Sequence, residues 1–328
     1  MCYTQNRFNA LLSACVLSLI ATAGWSQSLT WLGTLPGGNR SEAFGVSADG
    51  AVVVGRARNP AGLDRAFRWT ASGGMQDLGT LGGDWSEAYG VSADGTVVVG
   101  WANNAAGYPR AFRWTVDGGM QDLGTLGGDW SAAYGVSADG AVVVGWAQNA
   151  LWDWRAFRWT ASGGMQDLGT LGGNNSGANA VSADGAVVVG WAQDAAGLYR
   201  AFRWTASGGM QDLGTLGGCC SEAYGVSADG SVVVGWARNA AGWERAFRWT
   251  ASGGMEDLNT TYASLLTNGS VLWEARAISP DGRYIVGGGW NAATGRDEAF
   301  LLDTVPEPAS LLALGAGLVG LLRRRGKQ

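Results

Sequence analysis

The sequence predicts an all-β fold, a six-bladed β-propeller of four-stranded blades whose ring is closed by a strand from the N-terminus. One segment recurs six times along the chain, and each of the first five copies divides into four short strands. Glycine accounts for 55 of the 328 residues and tryptophan for 18, which favours short strands joined by tight turns. An open β-solenoid, or another open array of the same repeats, is the alternative architecture.

The motif Val-Ser-Ala-Asp-Gly marks the repeat, which extends over residues 28–304. It begins at Val46, Val91, Val136, Val181 and Val226, so the first five copies follow one another at an interval of 45 residues. The sixth copy begins at Ile278, after an insertion of seven residues. A constant interval of this length is typical of propellers and solenoids.

Four strands can be assigned in the second copy: residues 88–92, 96–101, 110–115 and 120–126. Asp94 and Gly95 separate the first two strands and are residue types that tight turns prefer. The Val97–Val99 run is apolar without interruption, which indicates a strand covered on both faces. The first strand consists mainly of small residues, as crowding near a central axis would require.

The number of strands predicts that the two chain ends share a blade. The sixth copy has no fourth strand, whereas residues 29–35 resemble one. A four-residue loop would place Arg68 opposite Asp77, and the next four copies would have the same pair. In the sixth copy Leu301 replaces the arginine, and Trp31 replaces the aspartate in the N-terminal strand. We therefore expect Trp31 to pair with Leu301 and close the ring.

Both chain ends have the composition of targeting segments. Residues 1–23 combine Arg7, an apolar run and Ala21-Thr22-Ala23, which predicts a secretory signal peptide. Residues 305–328 contain Pro306, Glu307 and Pro308, then 14 apolar residues and three arginines. This tripartite segment resembles the PEP-CTERM sorting signal. The resemblance implies recognition by an exosortase, transient anchoring in the inner membrane, and a final location at the cell surface or outside the cell.

The repeat resembles the HAF family of extracellular repeats. The resemblance is carried by the Ala-Phe-Arg-Trp and Asp-Leu-Gly-Thr-Leu-Gly-Gly segments. The name-giving His-Ala-Phe reads Arg65-Ala66-Phe67 here, and Glu298 takes the place of the histidine in the sixth copy. The family resemblance implies an extracellular location and no particular chemistry.

Charge and residue usage exclude several classes of function. Residues 24–305 contain 26 acidic residues and 17 arginines, a balance opposite to that of nucleic-acid-binding proteins. Histidine is absent, which removes the commonest general base and metal ligand. Outside the leader the only cysteines are Cys219 and Cys220, which we interpret as two loop residues, with pairing between chains as the alternative. We predict no cofactor, no metal and no catalytic residue.

Two segments differ between copies while the strands are nearly identical, and they predict the binding face. They follow the second and the fourth strand of each copy, so both should lie at the same end of the blades. Aromatic residues beside acids and amides in these segments suit a sugar ring or a protein partner. The candidate residues are Trp85, Trp130, Trp152, Trp154, Tyr199 and Trp243. We thus expect a non-catalytic binding or structural module of the envelope or exopolysaccharide matrix.

A polysaccharide hydrolase or lyase of the propeller type is the alternative function. It requires an acid pair that departs from the repeat, for which Glu274 and Glu298 are the candidates. The aspartates that recur in every copy, such as Asp94, could bind calcium, but we expect them to cap their own turns.

Overall fold

The computed structural model describes residues 29–305, which form six antiparallel sheets, one short α-helix and one 3₁₀ turn. We call the sheets blades 1 to 6 in chain order. Blades 1 to 5 have four strands each, and blade 6 has three. The predicted all-β architecture and the four strands per repeat are confirmed.

The strands follow one another in each blade, and their bounds agree between copies. Blade 1 contains β1 (Ser41–Val46), β2 (Val52–Arg58), β3 (Asp64–Thr70) and β4 (Gly74–Asp77); blade 2 contains β5 (Gly82–Val91), β6 (Val97–Asn104), β7 (Pro109–Thr115) and β8 (Gly119–Asp122); blade 3 contains β9 (Gly127–Val136), β10 (Val142–Asn149), β11 (Trp154–Thr160) and β12 (Gly164–Asp167). Blade 4 contains β13 (Gly172–Val181), β14 (Val187–Asp194), β15 (Tyr199–Thr205) and β16 (Gly209–Asp212); blade 5 contains β17 (Gly217–Val226), β18 (Val232–Asn239), β19 (Glu244–Thr250) and β20 (Gly254–Asp257); blade 6 contains β21 (Val271–Ile278), β22 (Tyr284–Asn291) and β23 (Arg296–Asp303).

The turn between the first two strands of a blade is held by the recurrent serine and aspartate. In blade 2, Asp94 Oδ1 accepts hydrogen bonds from Ser92 Oγ at 2.6 Å and from Thr96 N at 3.0 Å. These bonds hold the pKa of the Asp94 carboxyl below its usual range, the serine hydroxyl making the largest contribution. The predicted capping role of these aspartates is confirmed.

The predicted arginine–aspartate pairs are wrong by one residue. The loop between β3 and β4 has three residues rather than four, because Gly74 pairs with Thr70 in the left-handed conformation, at a φ of +65°. Arg68 therefore lies opposite Gln76, and Phe67 lies opposite Asp77. Arg68 instead donates from Nε to Gly95 O of blade 2 at 3.3 Å. By the same register Trp31 would correspond to a position opposite Phe300, not opposite Leu301.

Apolar side chains from neighbouring blades interlock to form the core. Val97 and Val99 of blade 2 pack against Val143 and Phe157 of blade 3, and all four are at most 3% exposed. Corresponding clusters join the other successive blades. Burying one such valine or phenylalanine stabilises the fold by about 1.5–3 kcal/mol. Most of the buried apolar side chains belong to these clusters between blades.

The first strands of successive blades approach closely, which explains their small residues. A Cβ on Gly90 would lie 3.1 Å from Tyr134 O of blade 3. Within a blade, a Cβ on Gly145 of β10 would lie 2.0 Å from Ala132 O of β9. Only glycine fits at the second position, because the obstacle is backbone rather than a side chain that can turn away.

Ring closure is not confirmed, because the row of sheets does not close. Blade 6 ends at β23 without a fourth strand, and residues 29–35 form no strand. The predicted closing strand is therefore not confirmed, and it stays a prediction. Leu301 and Trp31, which the sequence pairs, are 68% and 87% exposed. The structure shows six successive sheets without a strand that joins the last to the first.

The seven-residue insertion before blade 6 forms helix α1 (Leu258–Thr261) and the 3₁₀ turn Ala263–Leu265. Asp257 caps α1 by accepting from Asn259 N, and Leu258 is buried between blades 5 and 6. The predicted signal peptide and the residues Pro306, Glu307 and Pro308 lie outside the described residues. Within residues 29–305, no helix has the length and apolar character needed to cross a membrane.

Candidate functional site

The six predicted aromatic residues divide between strands and loops. Trp152 and Trp243 lie in the loops between the second and third strands of blades 3 and 5, and both are more than 60% exposed. The other four are Trp85 on β5, Trp130 on β9, Trp154 on β11 and Tyr199 on β15. The expectation that Trp85 and Trp130 occupy loops is wrong, because the first strand of a blade begins several residues earlier than predicted.

Blade 3 brings three tryptophans together across three neighbouring strands. The ring centroids of Trp130 and Trp154 are 5.8 Å apart, and those of Trp146 and Trp154 are 4.3 Å apart in an edge-to-face arrangement. We call Trp130, Trp146 and Trp154 the blade 3 cluster. Two of its members were predicted, whereas Trp146 was missed because the same position on β6, β14 and β18 also holds tryptophan.

Trp152, beside this cluster in sequence, has a strained backbone. Its φ is +68°, and it is the one residue other than glycine with a positive φ within residues 29–305. The equivalent residues are Gly62, Gly107, Gly197 and Gly242, all with positive φ. A bulky side chain in this conformation costs about 1–2 kcal/mol, so blade 3 keeps a tryptophan at a position that stability alone would give to glycine.

A buried amide lies between the strands that carry the cluster. Gln148 on β10 pairs with Trp154 in register and is 7% exposed, and its Oε1 has no hydrogen-bond partner. In blade 4 the equivalent Gln193 Oε1 accepts from both the backbone N and Nδ2 of Asn175, at 3.1 Å each. Trp130 stands at the position of Asn175, so the exchange that builds the cluster also leaves Gln148 unsatisfied.

Blade 4 pairs a further predicted residue with a ring that the sequence reasoning missed. The centroids of Tyr199 and Trp191 are 5.0 Å apart. Trp85 and Trp243 belong to blades 2 and 5. The structure therefore joins Trp130 with Trp154 but does not assemble all six predicted residues into one site.

A second group of side chains, along the innermost strands, was missed by sequence reasoning. Each occupies the extra residue of a β-bulge in the first strand of its blade. We call this group the inner row; it consists of Phe44, Tyr89, Tyr134, Asn179, Tyr224 and Arg276. Bulges re-aim side chains and are common beside functional sites. The available signal was variation at one position within an otherwise copied strand.

Aromatic contacts and hydrogen bonds connect the inner row. The ring centroids of Tyr89 and Tyr134 are 5.2 Å apart, and Phe44 lies 5.6 Å from Tyr89. Trp146 Nε1 donates to Tyr134 Oη at 3.0 Å, which links the inner row to the blade 3 cluster. Burial raises the pKa of the Tyr134 hydroxyl, so it remains protonated over the physiological range.

Acidic residues precede four of the six members of the inner row by two positions on the same strands. Glu222 accepts from Asn179 Nδ2 at 3.0 Å, and burial raises the pKa of its carboxyl despite that bond. Burial, followed by the charge of Glu222, raises the pKa of Tyr224 to about 12. At the other end of the row, Arg56 bridges Glu42 and Glu87. The inner row is thus a hydrogen-bonded polar surface rather than an apolar core.

A cleft of about 280 Å³ opens along the inner strands of blades 1 to 4. Tyr134 and Asn179 of the inner row line it, together with Val46, Val91 and the glycines beside them. Its walls are mostly backbone and small side chains, so it could hold a small polar molecule.

The acids proposed for the alternative enzymatic function already have partners. Glu274 forms an ion pair with Arg276 at 2.8 Å. Glu298 accepts from Thr294 Oγ1 and Asn291 Nδ2, each at 2.7 Å, and these bonds lower the pKa of its carboxyl. Within residues 29–305, no group of three or more acids and cysteines is placed to hold a metal ion.

Cys219 and Cys220 are free thiols on β17, with their Sγ atoms 2.8 Å apart. The hydrogen bond from Cys220, supported by Arg238, lowers the pKa of Cys219, whereas burial raises that of Cys220. They lie in a strand, not in the loop that the sequence predicted.

Comparison with known proteins identifies one sequence motif. Residues 304–326 match the PEP-CTERM protein-sorting motif. This motif indicates an exported protein with a C-terminal membrane-anchoring signal that exosortase-type machinery recognises. No curated protein sequence matches the chain.

Solved structures support the propeller-like fold at low sequence identity. The β-propeller domain of the Trilobed protease from Pyrococcus furiosus, described as having an open velcro topology, is 10% identical with a TM-score of 0.52, and the match covers 83% of each chain. A TolB-type protein from Agrobacterium tumefaciens is 15% identical with a TM-score of 0.51, covering 81% of this chain and 91% of that one. TolB from Acinetobacter baumannii is 14% identical with a TM-score of 0.47, covering 66% of this chain and only 53% of that one. The likenesses to the Pyrococcus and Agrobacterium proteins, with TM-scores above 0.5, show the fold alone.

Proposed function

We propose that the chain is an exported, non-catalytic binding module of the cell envelope or exopolysaccharide matrix, and that it binds carbohydrate through blade 3. The sorting motif at residues 304–326 supports export. The resemblance to HAF repeats and the predicted signal peptide agree with a location outside the cell.

Trp152 is the observation that carries this proposal. Four copies of the repeat have glycine at its position. The tryptophan is 62% exposed, so buried packing does not offset the strain of its backbone. Strain that the fold does not need indicates a functional constraint. The blade 3 cluster lies beside it.

The chemistry of blade 3 suits a sugar. Tryptophan faces stack on the apolar faces of pyranose rings, and Gln148 supplies an acceptor that lacks a donor within the fold. That acceptor is buried, so the exposed aromatic rings, not the amide, would make the first contact with a sugar.

The proposal is tested with the exopolysaccharide of the cells that make the protein, by affinity electrophoresis of the full chain. We expect Trp152→Gly and Trp154→Ala each to weaken retention about tenfold, since losing a contact of about 1.4 kcal/mol is a factor of ten. Trp152→Gly should at the same time raise the melting temperature, because it removes the strained conformation.

Trp243→Ala is the matched control, because it removes an equally exposed loop tryptophan from blade 5. It should leave retention nearly unchanged. Loss of retention in all three variants would indicate nonspecific adsorption through exposed aromatic side chains. Loss in none of them would show that blade 3 has no role in binding.

A polysaccharide hydrolase or lyase remains the second candidate, and one observation favours it. Glu222 is a half-buried carboxyl whose pKa burial raises, as a general acid requires, and Glu274 occupies the equivalent position in blade 6. Activity on a polysaccharide that Glu222→Gln or Glu274→Gln abolished would favour this candidate over a binding module.

A further inference from the structure

The faces of the blades are of two kinds, and each kind packs only against the other. We call the side of a blade that contacts the following blade its forward face, and the opposite side its back face. Between blades 2 and 3, the forward face contributes Val97, Val99 and Ala111, and the back face contributes Val143 and Phe157. The same positions meet at the other joints between successive blades.

Blade 6 leaves an apolar forward face uncovered. Tyr284, Val286 and Ala299 occupy the positions of Val97, Val99 and Ala111, and all three are exposed, whereas their counterparts are buried. Leu301 replaces the arginine of the other five copies and is 68% exposed. The last repeat of an open array normally has a polar outer face. Blade 6 therefore lacks the features of a terminal cap.

Blade 1 leaves the complementary back face incomplete. Its cluster contains Leu35, Ala57 and Phe67, with Val53 partly buried, and it lacks the residues that a preceding blade would supply. Ala43 is exposed, although the equivalent alanine of every other blade is fully buried. This cluster is half of a joint between blades.

The chain before blade 1 has the geometry of a connection from a preceding blade. Ser41 Oγ donates to Gly33 O at 2.7 Å, as Ser86 Oγ donates to Gly79 O at 2.6 Å in the link between blades 1 and 2. Leu35 packs on blade 1 as Leu81 packs on blade 2. Blade 1 is thus built as a blade that follows another one.

We infer that a second copy of this chain covers these ends, the forward face of blade 6 in one molecule docking on the back face of blade 1 in the next. The five internal joints show what each face packs against, and the row in one molecule is open. Residues 29–32 of the second copy, equivalent to a fourth strand, would add to the free edge of β23. A joint between unlike faces leaves a free face at each end, so association continues beyond a dimer unless a ring forms.

The joint between copies should be weaker than the internal ones. The turns of successive blades are linked by backbone hydrogen bonds, ending with Ala228 N to Pro280 O at 2.9 Å. Pro280 replaces the alanine of the other copies and has no N–H to pass to the next blade. We therefore expect reversible association.

Sedimentation velocity of the purified full chain over about a hundredfold range of concentration tests this inference. The average mass should rise with concentration past that of a dimer. Val286→Asp on the forward face and Ala43→Glu on the back face should each weaken association at least about tenfold, because each places an unpaired charge in the joint. Val116→Asp, which places the same charge in an exposed turn of blade 2, should have no effect.

Mixing the two variants separates docking from closure within one chain. Ala43→Glu keeps an intact forward face and Val286→Asp keeps an intact back face, so the mixture should form one-to-one dimers while each variant alone stays monomeric. Ala299→Glu replaces Val286→Asp if that variant does not fold. A wild-type chain that is monomeric throughout, or a mixture that does not associate, would overturn the inference.

Discussion

At the scale of single residues, four of the five joints between successive blades depend on one buried serine each. Ser131 Oγ of blade 3 accepts from Ala111 N of blade 2 at 2.9 Å and donates to Gly124 O at 2.6 Å. Ser86, Ser176 and Ser221 make the same two bonds, and all four are fully buried. The sequence shows this serine in the first five copies, and Trp273 replaces it in the sixth. Its role could not be read from the sequence, because both of its partners are backbone atoms.

Ser131→Ala should destabilise the fold by about 2 kcal/mol or more, because it leaves a buried N–H and a buried carbonyl without partners. Urea denaturation followed by tryptophan fluorescence measures this loss. Ser41→Ala is the matched control, since Ser41 makes one of the two bonds and is partly exposed. An equal loss in both variants would contradict the bridging role.

The residues of the proposed binding site were only partly predictable. Trp152 was found because the loop departs visibly from its copies, but its strained φ could not be read from the sequence. The unsatisfied acceptor of Gln148 could not be predicted, because blade 4 also has a glutamine at this position, Gln193, and there Asn175 donates to it. Whether an amide is satisfied depends on its neighbour across the sheet, here Trp130 or Asn175.

At the scale of elements, hairpin identity was predictable and register was not. Asp-Gly turns and valine runs placed all four strands of the repeat. The loop between the third and fourth strands was one residue shorter than assumed, since Gly74 pairs in a left-handed conformation. That single residue moved Arg68 from Asp77 to Gln76 and removed the predicted ion pairs. In blade 5, where Glu256 replaces the glutamine, Arg248 lies 3.9 Å from the new carboxylate.

The turns between first and second strands should make stability depend on acid pH. Their aspartates, including Asp94 and Asp229, have lowered pKa values because serine hydroxyls and backbone N–H groups donate to the ionised carboxyl, and that of Asp229 falls to about 2. The unfolded chain binds protons first, so this stability is present above about pH 4 and is lost as the pH falls towards about 2.

Urea midpoints measured at neutral pH and at about pH 2.5 test this dependence. Asp229→Asn, which cannot ionise, should lower stability at neutral pH and narrow the difference between the two conditions. An unchanged difference would show that other groups govern acid unfolding.

At the scale of the whole molecule, the sequence predicted the number and type of blades but not the state of their ends. The all-β, propeller-like architecture followed from a repeat of constant length. Closure was inferred from Leu301 and Trp31 becoming apolar together, and the same observation fits ends that meet in different molecules. The sequence alone does not distinguish closure within one chain from docking between two chains, because the same forward and back faces meet in either arrangement.

The distance between the two ends within one molecule tests the open row most directly. Spin labels at Ala43→Cys and Ala299→Cys, with Cys219 and Cys220 changed to serine, report it by electron–electron resonance. An excess of unlabelled protein confines the signal to pairs within one chain. The open row predicts no population at contact distance. A sharp contact distance in the diluted sample would show that blade 6 closes on blade 1 of its own chain and would contradict this account.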